Sequence, residues 1–177
     1  MKGLKSFLLL AASGSAIALL VFPATLSAAD GKPTRIAITD EQQSVHFRAG
    51  RVCSFEFDAT PVANDQYIKT YPADANGDVR ELVNGTLKEQ LTNVGTGKSI
   101  IVNVSGPSTE IVHPDGSADL TLEGSVLVSY NARFNPRGPA TYIYTGHTVF
   151  SVDDDGTLTL VSTTDKRPFD VCAALSG

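Results

Sequence analysis

Two stretches of apolar–polar alternation, each about twice the usual strand length and each with a glycine near its centre, constrain this chain most. From Ala118 to Tyr130 the even positions are Ala118, Leu120, Leu122, Gly124, Val126, Val128 and Tyr130, and the odd ones include Asp119, Thr121, Glu123, Ser125 and Ser129. From Val79 to Leu91 the pattern repeats, with Val79, Val83, Leu87 and Leu91 on one face and Gly85 at the centre. Period two means strand, because successive side chains point to opposite faces. A mid-strand glycine is where such a strand bends or bulges. Shorter runs of the same kind are CSFEFDA, SIIVNV, STEIVH, TYIYTGHTVFSV and TLTLVS. No helical period exceeds about two turns.

Turn chemistry joins these runs. Asp74-Ala-Asn-Gly-Asp78, Pro114-Asp-Gly116 and Asp155-Gly156 offer residues that tolerate positive φ, so consecutive strands should pair antiparallel. The expectation is an all-β fold: a single antiparallel meander that closes into an up-and-down β-barrel, with a two-sheet β-sandwich as the alternative closure. Residues 51–177 form that single domain. Residues 30–50 pattern weakly and read as an extended or mobile arm, and NARFNPRGPA is a long loop.

The first 29 residues set the expected compartment. Lys2 and Lys5 precede an apolar run from Phe7 to Phe22, Pro23 breaks it, and Ser27 and Ala29 place small side chains before Asp30. This is the layout of a cleaved secretory signal peptide, and the run falls short of the roughly 20 residues a membrane span requires. Cleavage leaves no membrane anchor. It also leaves about 148 of the 177 residues, enough for one domain with its own core. The mature chain carries 12 basic against 19 acidic residues, a net charge of about −7 that argues against nucleic acid and anionic membranes.

Cys53 and Cys172 both lie in the exported part. An even count in an oxidising compartment reads as one disulfide, with two free thiols or a redox pair as alternatives. A redox pair would ordinarily show a C-x-x-C spacing, which is missing.

Several motifs tempt a functional reading and fail. GTGKS (residues 95–99) ends like a phosphate-binding loop, but that loop needs Gly where this chain has Thr92, and a helix where it has IIVNVSGP. A hairpin turn fits better, so no nucleotide is expected. Asp74, Asn76 and Asp78 alternate like a calcium loop, yet the sixth and twelfth positions are Val79 and Gly85 rather than Gly and Glu. Asp153, Asp154 and Asp155 read as a solvated turn. His46, His113 and His147 share no metal-ligand spacing. No metal or cofactor is expected, and no nucleophile stands with a base.

Glu89 is the exception. Strict alternation places it with Leu87 and Leu91, and Glu81 with Val79 and Val83. A bulge at Gly85 would reverse the faces on one side and turn at least one acid to water; without it, a carboxylate projects into a mostly apolar interior, costly unless paired or wet. Tyr142 and Tyr144 share the face of Phe150 and are candidates to line the same interior.

The ordered series Cys53-x-Phe-x-Phe, GTLKEQLTNVGTGKSIIVNVSGPST, HPDGSADLTLEGS, TGHTVFSVDDDGTL and DVCAAL resembles a family of small secreted actinobacterial proteins with no assigned activity, over about residues 50–176. The family pattern opens Cys-Pro-Phe, where this chain has Cys53-Ser54-Phe55. The resemblance implies export, one β domain and pairing of Cys53 with Cys172, and brings no catalytic residues.

Two function classes remain. The first is a non-enzymatic extracellular module that holds a small apolar molecule through Glu89, Tyr142 and Tyr144, or meets a partner through the 131–140 loop. The second is a small-barrel enzyme that steers an apolar substrate in the same interior. A surface protein with no ligand is a third. Interior volume discriminates them, because ligand pockets usually exceed about 300 Å³.

Overall fold

The computed structural model describes residues 31–131 and 138–177. The signal layout at residues 1–29 and the middle of the NARFNPRGPA loop lie outside the described residues. Within them the protein is all-β, with antiparallel pairing throughout and two short helices.

The strands come as halves of longer ones. In chain order they are β1 (Thr34–Ala37) and β2 (Val45–Phe47), separated by helix α1 (Asp40–Gln43); β3 (Phe57–Asn64) and β4 (Tyr67–Thr70); β5 (Val79–Asn84) and β6 (Leu87–Asn93); and β7 (Ser99–Asn103) and β8 (Ser108–Val112). The series continues with β9 (Ala118–Leu122) and β10 (Ser125–Tyr130), β11 (Ala140–Thr145) and β12 (Thr148–Val152), β13 (Leu158–Thr163) and β14 (Phe169–Asp170), and ends in helix α2 (Val171–Leu175).

One half of each long strand joins a seven-stranded sheet ordered β1-β4-β5-β8-β9-β12-β13. The other halves form a four-stranded sheet, β2-β3-β6-β7, and a three-stranded sheet, β10-β11-β14. Taken as bent strands, the order in space follows the order in sequence, which is a meander. Its two halves face each other as strands do when they change sheets at a bend. The edge strands β1 and β13 each pair on one side only, so no closed ring of backbone hydrogen bonds is present among the described residues. On the smaller side, β7 and β10 likewise pair on one side only and not with each other, and the meander is split there.

The bends stack into a corner. Glu123 N donates to Pro107 O at 2.9 Å, Ser125 N to Ser105 O at 3.0 Å, and Gly124 and Gly146 exchange backbone bonds at 3.2 and 2.7 Å. Backbones this close leave no room for side chains. A Cβ on Gly106 would sit 1.9 Å from Glu123 O, and one on Gly124, which adopts φ +101°, would sit 2.8 Å from Ser105 O. Gly85, with φ +119° and a Cβ that would sit 2.7 Å from Asp65 O, is as crowded, so the central glycines of both long alternating stretches mark true bends.

The N-terminal arm is extended and joins the sheets. Residues 34–37 pair with β4 and residues 45–47 with β3, so the segment supplies one edge of each of two sheets. Between them Thr39 and Gln42 form a reciprocal capping box on α1.

Two apolar clusters fill the interior. One gathers Phe47, Phe57, Leu87 and Leu91 with Val171 and Leu175 of α2; the other gathers Leu120, Val128, Tyr144, Phe150 and Leu158. Strand β11 is buried on both faces and serves both, Ile143 in the first and Tyr144 in the second. Cys53 and Cys172 form a disulfide with Cα atoms 5.5 Å apart. It ties α2, at the end of the meander, to the connection between its first two strands. No helix among the described residues is long and apolar enough to cross a membrane.

Candidate functional site

The corner encloses a cavity of about 130 Å³ to which all three sheets contribute. Ile68, Val83 and Leu120 line it from the large sheet, Phe47, Ala59 and Leu87 from the four-stranded sheet, and Val126 and Leu127 from β10. Ser125, Val126 and Leu127 are only half-buried, beside the unpaired edge of β10. The volume is below that of pockets for drug-sized ligands and near the roughly 150 Å³ of an apolar cavity that admits a benzene ring.

Four buried polar side chains interrupt the apolar wall, besides the more exposed Ser108, Glu123 and Ser125. Gln43 and Gln66 are buried and bonded to each other, Gln43 Nε2 donating to Gln66 Oε1 at 3.0 Å. Glu89 and Glu110 are carboxyls with relative exposures of 5% and 8%. Glu89 is on β6 between Leu87 and Leu91. Glu110 is on β8, in an inward row of register neighbours that runs Thr70, Glu81, Glu110, Leu120, Phe150 across the large sheet.

Glu81 is buried too, but Thr70 Oγ1 donates to its Oε1 at 2.9 Å, and it does not line the cavity. Among the described residues, every side-chain polar atom sealed wholly from solvent has a partner. The carboxyls of Glu89 and Glu110 face the cavity, are not wholly sealed from solvent, and accept no hydrogen bond from another described residue. Burial holds both well above the ordinary carboxyl range, to about 7, and the neighbouring Glu81 charge adds to the shift on Glu110. Burial also raises Glu81, against the opposing hydrogen bond from Thr70.

Alternation thus runs unbroken through Gly85, and the turned-out acid does not occur: Glu81 and Glu89 both point inward. Of the three residues read as a site from the sequence, only Glu89 reaches the cavity. Tyr142 and Tyr144 pack in the second cluster, where Tyr144 meets Phe150 edge-on at 5.9 Å between ring centroids and its hydroxyl is 3.3 Å from that of Tyr130. The cavity shares Leu120, Leu122 and Val126 with that cluster but not the tyrosines. Glu110, Gln43 and Gln66 were not singled out in the sequence. The STEIVH run was legible as a strand, but it is too short to say which face is buried.

The motifs set aside are built structurally. GTGKS lies in the hairpin between β6 and β7: Asn93 N donates to Lys98 O at 2.9 Å, Gly97 N to Asn93 O at 2.8 Å, and Asn93 Oδ1 accepts from the amides of Gly95 and Thr96. The same Asn93 is buried and donates through Nδ2 to Leu175 O at 3.1 Å, anchoring α2. Asp74 Oδ1 accepts from the amides of Asn76 and Asp78 inside its own turn. The histidines do not converge. His46 pairs with Asp58 at 2.6 Å, His113 with Asp78 at 3.0 Å, and His147 with Glu123 at 2.6 Å. Asp115 and Asp153 to Asp155 come together on adjacent turns, but no cluster among the described residues is arranged to hold a metal ion.

Comparison with known protein families, curated proteins and solved structures finds no match to the chain.

Proposed function

We propose that this is an exported, non-enzymatic binding module that holds a small, mostly apolar molecule in the cavity at the corner of its sheets. One observation carries the reading: two carboxyls without partners face a small space whose walls are otherwise largely apolar. Binding pockets combine an apolar wall with a few convergent polar groups in this way. The split between β7 and β10 favours a strongly bent sandwich over a sealed barrel, and gives a molecule of this size a route inward. Export rests on the layout of residues 1–29 and accords with the disulfide. The likeness to small secreted actinobacterial proteins adds no catalytic residue.

The small-barrel enzyme is a second reading, because carboxyls near neutrality suit general acid–base work. Binding stands first because, among the described residues around the cavity, no nucleophile is bonded to a base. Native mass spectrometry on protein purified from its own secretions tests the proposal. The expected result is a retained small molecule, lost on denaturation, whose mass fits about one ring. Empty protein under gentle conditions, with no small molecule taken up from a soaking panel, would refute it.

A further inference from the structure

The outer face of the large sheet gathers positive charge on a chain whose net charge is −5. Arg35 of β1 and Lys69 of β4 are register partners, and Tyr71 N donates to Arg80 O at 2.9 Å, which sets Tyr71 beside Arg80 of β5. Ile68 and Glu81 are buried on the inner face, so Tyr67, Lys69 and Arg80, which alternate with them, point outward. The Arg35 guanidinium lies 3.7 Å from the centroid of the Tyr67 ring. The Arg80 guanidinium lies 4.0 Å from that of Tyr71, and the Lys69 ammonium 4.8 Å. Cations held on rings in this way are partly ordered before any partner arrives. None of the three is ion-paired with a described acid. At the margin of the face, Asp78 and Asp119 are instead held by His113, at 3.0 and 3.5 Å.

We propose that this face is a docking surface for an acidic polysaccharide, with Arg35, Lys69 and Arg80 receiving its carboxylates and Tyr67 and Tyr71 meeting its sugar rings. It is separate from the corner cavity, which the opposite face of the sheet lines. Unpaired cations on an acidic chain call for anionic groups, and the guanidinium fork matches a carboxylate. The tyrosine rings and the arginine stems add hydrocarbon for a sugar ring to lie against. Charge spacing selects among polyanions. Duplex DNA carries a charge about every 1.7 Å and would run on from Arg80 to Asp119, two strands away in register, where like charges repel. A uronate polymer, with a single carboxylate on each ring, can match the cations and miss the acids. Segments that hold anionic lipid carry about four to eight basic residues, more than this face offers.

Surface plasmon resonance on the intact, disulfide-bonded protein, with immobilised polygalacturonate as the probe, tests the surface. The expected result is saturable binding that weakens as sodium chloride is raised, with none to neutral dextran. The double change Arg35→Gln, Arg80→Gln should weaken binding by at least about fivefold. Lys166→Gln, Arg167→Gln removes the same charge from the exposed loop between β13 and β14 and should leave affinity within about twofold. All four side chains are exposed, so both variants should fold, and thermal melts check that. Lys69→Gln alone serves if the first variant melts early, and should weaken binding without that defect. No binding to polygalacturonate, or equal binding to dextran, would overturn the proposal. Equal losses in the two double variants would reduce the effect to net charge and overturn the assigned face. A lower melting temperature in Arg35→Gln, Arg80→Gln with binding kept would show that the cations only hold β1 in place. Tighter binding to single-stranded DNA or to phosphatidylglycerol vesicles than to polygalacturonate would overturn the polysaccharide.

Discussion

Glu89 is a side chain whose cost and use are the same property. Its ordinary carboxyl value of 4.5 is raised to about 7 by burial. Below pH 4.5 the acid is neutral in both folded and unfolded chains and costs the fold nothing extra. As pH rises, the unfolded chain ionises first, so stability falls until the folded acid also ionises near 7, and is then flat. The titratable groups that share its cavity are Glu110 and, at the rim, Glu123; Gln43 and Gln66 are neutral. Neither acid supplies a compensating charge. Glu89→Gln should therefore stabilise the protein at pH 8 by up to about 3 kcal/mol and change little at pH 4. Thermal melts of both proteins at the two pH values check this. Parallel shifts with pH in wild type and variant would mean that the carboxyl is hydrated.

At the scale of the element, the corner explains both what the sequence showed and what it concealed. Alternation through Val79–Leu91 and Ala118–Tyr130 was legible, as was the glycine at each centre, because period and bend are local. Which sheet each half enters is decided by backbone contacts between distant bends, such as Gly106 against Glu123, and leaves no local trace. The same limit misplaced Tyr142 and Tyr144: alternation assigns a face, but β11 is buried on both, and only packing says which face meets the cavity. Residues 34–47 pattern weakly because β1 is an edge strand and largely exposed. Two substitutions test the corner. Gly106→Ala forces a methyl group into Glu123 O, so the bend must shift, at an expected cost of at least about 2 kcal/mol. Lys98→Ala, in the exposed hairpin, loses one bond from Nζ to Ser176 O and should cost less than about 0.5 kcal/mol. Urea denaturation of the two variants measures the difference, and equal costs would mean that the bend is soft.

At the scale of the whole molecule, the open question is what keeps an unclosed meander together. Its large sheet ends in two unpaired edges and its small side is split between β7 and β10, so backbone bonds alone leave a sheet free to unroll. Two devices oppose that. Helix α2 buries Val171 and Leu175 among residues of the four-stranded sheet and Ile143 of β11, joining the two smaller sheets. The disulfide then fixes α2 to the connection between β2 and β3, closing a loop of 119 residues. Cross-links over long loops restrict the unfolded chain most, and 2–4 kcal/mol is typical. The double change Cys53→Ser, Cys172→Ser should therefore lower the unfolding free energy by about 2–4 kcal/mol while leaving the β content intact. Native wild-type protein should titrate no free thiol. Circular dichroism followed through a urea titration gives the free energy, and thiol titration before and after unfolding gives the redox state. A variant as stable as wild type would show that Asn93 and the buried residues of α2 hold the end of the meander without the cross-link. Loss of β structure in the variant without denaturant would show instead that the split sheet cannot stand on hydrophobic packing alone.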